Sequence, residues 1–219
     1  MIIEEMRNNF NYRLYGRSKG RGKNTKIIKE AQQIYFKNIN KNKYNIIDVG
    51  PGYGESTIDI AKNDFTKHVI ACEKYIDGIN NIAKDNFKNS LKNISIFHGN
   101  VHQLLDECCL IESISEMWIL FPDPWPKKKH NKRRLINVTL FNKLNKFLKK
   151  NAIIHIASDS KPYISEILSC VYELKNNYLW LNQNKAYWDY ANLKLPNTKY
   201  FQKALKNGLN PFYLKLIKL

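Results

Sequence analysis

Between residues 46 and 157 the chain repeats one pattern: a short apolar run, a polar or glycine-bearing turn, then a segment whose apolar residues recur at helical spacing. The runs of strand length are 46–49 (IIDV), 69–73 (VIACE), 94–98 (ISIFH), 116–121 (EMWILF) and 153–157 (IIHIA). Helical segments are expected over 55–63, 79–88, 101–110 and 132–149, the last because Leu135, Val138, Phe141, Leu144 and Leu148 recur at steps of three and four. Residues 162–175 continue the pattern. Strand alternating with helix selects an α/β fold with a mostly parallel sheet and helices on both faces. Two more strand-like runs, 178–181 and 212–217, flank a helical segment over 198–207 and add an antiparallel strand at one edge. A chain of 219 residues reads as one domain over 1–219, with 1–26 a basic arm in which Tyr12 and Tyr15 are interleaved with arginines and lysines.

In open sheets of this kind ligands bind beyond the carboxyl ends of the strands, so the residues just after each run carry the chemistry. The first run leads into Asp48, Val49, Gly50, Pro51, Gly52, Tyr53, Gly54, Glu55. Glycines there allow a sharp turn and leave room for a ligand against a helix N-terminus. The spacing is G-x-G-x-G with an acid two positions before the first glycine, which departs from the dinucleotide-binding fingerprint. Glu73 ends the second run and offers two oxygens to a pair of ribose hydroxyls, or is a surface glutamate at a strand end. Asn100 follows the third run, where an amide oxygen can accept from an exocyclic amine or belong to an ordinary loop.

After the fourth run comes Phe121, Pro122, Asp123, Pro124, Trp125, Pro126. Its prolines hold the turn out of helix and keep Asp123 and the Trp125 ring in one orientation. Lys127, Lys128, Lys129, Lys132, Arg133 and Arg134 follow, enough to grip several phosphates or to make a solvated basic face. The net charge of +17 points to an anionic partner, though the richness in Lys, Asn and Ile makes the clustering better evidence than the total. Cys72, Cys108, Cys109 and Cys170 show no metal-ligand spacing and read as reduced thiols. No metal is expected, and no apolar run is long enough for a membrane span or a signal peptide, so a cytoplasmic protein without a membrane partner is the expectation.

Taken in order, these pieces resemble the bacterial-type tRNA (guanine-N(7)-)-methyltransferase family. The likeness runs from GRSKGRGKNTK through DVGPGYG, ACEKYIDGI, FPDPWPKKKHNKRRL and ASDSKPYI to TKYFQKA, and its most specific part is FPDPW with the basic run behind it. The resemblance implies a Rossmann-like class I methyltransferase fold and S-adenosylmethionine as cofactor. Its cofactor site would involve Asp48, Gly50, Glu73, Asn100 and Asp123. The same resemblance implies Asp123 as catalytic residue, tRNA contacts at Lys127, Asp159 and Thr198, and a guanosine of the tRNA variable loop as target, with no obligatory protein partner. On the residues alone, Asp159 serves equally as a cap for the helix starting near Pro162. Two positions depart from the family pattern: Asn100 stands where bacterial members usually carry Asp, and the C-terminal T-x-[FY]-E signature reads Thr198, Lys199, Tyr200, Phe201, without its acid. The alternatives are an adenine amino-methyltransferase, because Asp123, Pro124, Trp125 resemble its [DN]-P-P-[YFW] motif, and a tRNA-binding relative with weakened catalysis.

Overall fold

The structure is a computed structural model that describes residues 26–36, 39–182 and 184–219. The arm read over 1–26 lies outside these except for its last residue. Strands β1 (Asn45–Val49), β2 (His68–Glu73), β3 (Ile94–His98), β4 (Ile114–Leu120), β5 (Leu148–Ser158), β6 (Tyr178–Trp180) and β7 (Phe212–Lys218) form a single sheet in the order β3-β2-β1-β4-β5-β7-β6. The first five strands run parallel, and β7 runs antiparallel to both β5 and β6. The antiparallel strand thus comes at the expected end of the sheet, one place in from the edge, and the three-residue β6 is the edge itself.

The helices are α1 (Lys29–Gln33), α2 (Glu55–Asn63), α3 (Ile76–Lys88), α4 (Val101–Cys108), α5 (Val138–Phe147), α6 (Lys161–Glu173) and α7 (Lys199–Lys206). Side chains alternate across each strand, so successive residues feed different cores. Ile47, Val49, Ile70, Cys72, Met117, Ile154 and Ile156 pack with Leu104 and Leu105 of α4, Leu140, Phe141 and Leu144 of α5, and Tyr163 and Ile167 of α6. On the other face Ile46, Val69, Ala71, Ile96, Trp118 and Leu120 pack with Ile58 and Ala61 of α2 and Ile79, Ile82 and Ala83 of α3. Among the described residues no helix is long and apolar enough to cross a membrane.

One expected element is replaced. The helix read over 132–149 divides into a 3-10 segment Lys128–Arg133, an extended connection, and α5, and residue 148 already belongs to β5. The break falls at Arg134, whose backbone is extended at φ −60° and ψ 132°. Its guanidinium is drawn inward, and Asn137, extended at φ −156°, starts α5 by accepting from the backbone N–H of Leu140. The strand β5 also starts five residues before the expected 153, because Lys149, Lys150 and Asn151 hide its amino end from an apolar pattern.

Candidate active site

The sheet order reverses between β1 and β4, and the two most distinctive sequence motifs follow those two strands. That is the switch point at which open α/β sheets hold their ligands. Val49 lies in register with Cys72, and Leu120 with Ala157, so the turns after β1, β2, β4 and β5 emerge at one edge.

The loop between β1 and α2 is built around left-handed glycines. Gly50 adopts φ +67°, its N–H donates to Cys72 O, and a Cβ there would meet nothing within 4 Å, because the space above is open. Gly54 adopts φ +90° where the chain turns into α2, and a Cβ would stand 2.3 Å from Ile82 Cγ1. One glycine leaves a cradle, and the other lets two helices meet. Asp48 is buried below the loop, where its carboxylate accepts from the Ser56 and Thr57 hydroxyls at 2.6 and 2.7 Å. Burial raises its pKa to about 6 against the pull of these two bonds, with Glu73 adding a smaller upward push. The structure therefore gives Asp48 a bracing role between β1 and the first turn of α2, and Ser56 and Thr57 had no signal in the sequence.

Glu73, at the end of β2, accepts from the backbone N–H groups of Gly52, Lys74 and Tyr75 at 2.8, 2.7 and 2.8 Å. Burial raises its pKa, and those three bonds hold it down. Its carboxylate thus ties the glycine loop to the turn after β2, with Oε1 taken up by two of these bonds and one acceptor site left on Oε2. Asn100 caps α4 in a reciprocal box: its Oδ1 accepts from the N–H of Gln103, and its own backbone N–H donates to Gln103 Oε1. One Oδ1 lone pair remains for a ligand amine.

The turn after β4 is held in an unusual backbone shape. Phe121 and Trp125 adopt φ +53° and +43°, left-handed values that cost a side-chain-bearing residue roughly 1 to 3 kcal/mol each. Between them Asp123 stands exposed at the sheet edge. Trp125 packs edge-on to His130, with the Arg133 guanidinium 5.0 Å from its ring centre. Arg134 locks the turn from behind: Nε donates to Pro124 O at 2.8 Å, Nη1 pairs with Glu166 of α6, and the guanidinium lies 5.1 Å from the Tyr163 ring centre. Arg134 is only 5% exposed, so it is not one of the phosphate-gripping cations that the sequence suggested. Lys127, Lys128, Lys129 and Lys132 are exposed.

Asp159 lies just beyond β5, partly exposed, while Ser160 stands at the N-cap of α6, so the capping reading of Asp159 does not hold. Thr198 is buried and caps α7, its hydroxyl accepting from the N–H of Phe201 at 3.1 Å. Phe201 packs on Tyr190 with ring centres 4.7 Å apart. The residue replacing the family's acid is thus a packing residue. The structure brings Gly50, Glu73, Asn100, Asp123 and Asp159 to one edge with Asp48 braced beneath it, while Lys127 is exposed after the turn and Thr198 caps α7. Among the described residues no group of three or more His, Cys, Asp or Glu side chains could hold a metal ion.

Comparison with known proteins bears on the fold and the family. Residues 42–214 match the family model described as "Putative methyltransferase". A tRNA (guanine-N(7)-)-methyltransferase of Buchnera aphidicola subsp. Schizaphis graminum is 30% identical over 191 residues, covering 87% of this chain and 79% of that protein. The enzyme of the same name from Albidiferax ferrireducens is 34% identical over 166 residues, covering 74% and 68%. Among solved structures, a 16S rRNA methyltransferase, KamB, superposes with a TM-score of 0.59 at 13% identity, over 86% of this chain and 91% of that one, which establishes the shared fold. Sequence likeness over so much of both chains, on a methyltransferase fold, places this chain in the tRNA (guanine-N(7)-)-methyltransferase family.

Proposed function

We propose that the protein transfers the methyl group of S-adenosylmethionine to N-7 of a guanosine in the variable loop of tRNA. The observation that carries this reading is the convergence of the glycine cradle, Glu73 and Asp123 on the switch point of the sheet, with exposed lysines beside it. The residues fit the donor: open space over Gly50 admits it, the one acceptor site left on Glu73 Oε2 suits a ribose hydroxyl, and the remaining Asn100 lone pair suits the adenine amine.

When bound, the donor supplies an electrophilic methyl group on a positively charged sulfur. Guanine N-7 carries a lone pair and no proton, so it takes the methyl directly as the carbon–sulfur bond breaks, and the positive charge passes to the purine. No general base is needed. Asp123 orients the base and favours the charge appearing on it, a fixed electrostatic contribution rather than proton abstraction. Proximity and alignment supply much of the remainder, roughly 7 to 11 kcal/mol for well-placed partners. Asp159 is a second acceptor for guanine N–H donors, and Lys127 to Lys129 with Lys132 hold neighbouring phosphates. Because guanine N-7 lies in the narrow major groove of A-form RNA, a loop position such as the variable loop is accessible where a helix is not. The whole chain, 1–219, acts as one domain with its basic arm on the RNA, in the cytoplasm and without an obligatory protein partner.

The test is to incubate the protein with S-adenosylmethionine and unmodified tRNA, then separate methylguanine from methyladenine and map the modified nucleotide. 7-Methylguanosine in the variable loop is expected. Methyladenine, or cofactor binding without transfer, would favour one of the two alternatives instead.

A further inference from the structure

Tyr200 has no role in the site as described, yet its ring reaches the loop after β1. Its ring edge, at Cε2, comes within 3.8 Å of where a side chain on Gly52 would begin, so it lies against the glycine loop. Its neighbour Lys199 fastens this end of α7 at two points, with the ammonium 3.5 Å from the Glu55 carboxylate and 3.9 Å from the Tyr53 ring centre. The two aromatic residues of this turn have divided tasks. Phe201 packs on Tyr190, whereas Tyr200 is 56% exposed and is not needed for the core. Partial burial, then the charges of Asp123, Glu73 and Glu55, raise the Tyr200 pKa.

An exposed ring set against the glycine loop is suited to stacking, since every base has a π face. An aromatic face also favours a purine that is acquiring positive charge. We propose that Tyr200 is the surface on which the target guanine stacks, with the base held between this ring and Asp123. The proposal rests on the N-7 transfer reading, and it assigns the base contact to the ring at Tyr200 instead of the acid absent at Phe201.

Methyl transfer to unmodified tRNA is measured for the wild type, Tyr200→Phe and Tyr200→Leu, with S-adenosylhomocysteine affinity and Tm on each. Tyr200→Phe keeps the π face and is expected within threefold of wild-type kcat. Tyr200→Leu keeps an apolar wall without the π face and should lower kcat by roughly 5- to 160-fold, the range of one base–aromatic stack, with S-adenosylhomocysteine affinity and Tm unchanged. A second readout avoids turnover: with S-adenosylhomocysteine present, wild type and Tyr200→Phe should bind 7-methylguanosine monophosphate more tightly than guanosine monophosphate, and Tyr200→Leu should lose that preference. The proposal is overturned if Tyr200→Leu retains kcat within threefold, or if its S-adenosylhomocysteine affinity falls in step with kcat, which would make the ring a support for the loop. A wild type that leaves guanine N-7 unmethylated would overturn the underlying reading as well, and that result is separate from either variant outcome.

Discussion

Replacing Arg134 with methionine distinguishes a cation that holds the protein together from one that holds RNA. Methionine keeps the apolar packing of the stem and removes the bonds to Pro124 O and Glu166. The bond to Pro124 O is made by a nearly buried charged donor, and such bonds contribute about 1.5 to 3 kcal/mol. The Glu166 side chain is 37% exposed and regains water when its partner leaves, so that pair adds no more than about 1 kcal/mol. The expected destabilisation is about 2 to 4 kcal/mol, or roughly 5 to 15 °C in Tm for a domain of this size, read by thermal and urea unfolding. Once released, the turn also holds Asp123 less firmly, so kcat at a temperature where the variant is fully folded should fall while the salt dependence of tRNA binding stays as in the wild type. The opposite pattern belongs to Lys127→Gln, Lys128→Gln, Lys129→Gln and Lys132→Gln combined: native Tm, and a log–log salt slope flatter by about 0.7 to 0.9 for each phosphate no longer neutralised. Native Tm together with a flattened slope in Arg134→Met would refute the argument, because the guanidinium would then face RNA.

Three further predictions concern the other supports of the site. Asp123→Asn should lower kcat strongly while S-adenosylmethionine affinity, measured by calorimetry, stays within about tenfold, or 1.4 kcal/mol; normal turnover would reject its role on the base. Phe201→Glu should cost about 2 to 3 kcal/mol in urea unfolding, because the ring no longer packs on Tyr190 and a carboxylate is desolvated in its place, with neither a higher kcat nor a lower KM; a kinetic gain at native stability would mean the loop grips the base through that position. Asp48 holds a proton in the native state up to about pH 6 against an ordinary 3.8, so its contribution is fully present below pH 4 and is lost as pH rises through 6, by roughly 3 kcal/mol. The wild-type stability profile minus that of Asp48→Asn should fall across this window, and a flat difference would show the carboxylate to be ionised throughout.

The strands that build the site were legible because each is an apolar run ended by a turn residue, and apolarity on both faces is what a central parallel strand requires. Gly50, Glu73, Asn100, Asp123 and Asp159 follow such runs and reach the edge as the alternation implies. What stayed hidden depends on neighbours distant in sequence. Arg134 sits in a basic run whose other members are exposed or stack on Trp125, and its contacts with Pro124 O, Glu166 and the Tyr163 ring reveal it as an internal clamp. The helical spacing from Leu135 onward was real as a pattern of burial, but the chain runs extended at Arg134 before α5 begins. Glu116 and His155 were read only as strand residues, yet they face each other at 3.0 Å inside the sheet, with Trp118 Nε1 and the Tyr44 hydroxyl donating to the same carboxylate. Tyr200 was legible as part of a signature and silent as to use, since only the fold brings it to Gly52.

The insertion of β7 between β5 and β6 bears on how the protein is made. A ribosome delivers β1 through β5 and then β6, but β6 has no strand to pair with until residues 212–218 emerge. Through that interval the long edge of β5 is open, a surface on which unfinished chains stick to one another. The same late segment bonds to the stretch that leads to Thr198 and Tyr200, Tyr213 N–H donating to Trp188 O and Tyr190 N–H to Pro211 O, so that stretch gains these bonds only after residues 211–213 emerge. Translation pauses or chaperone binding within this stretch would therefore change the yield of working enzyme without altering any residue at the carboxyl edge.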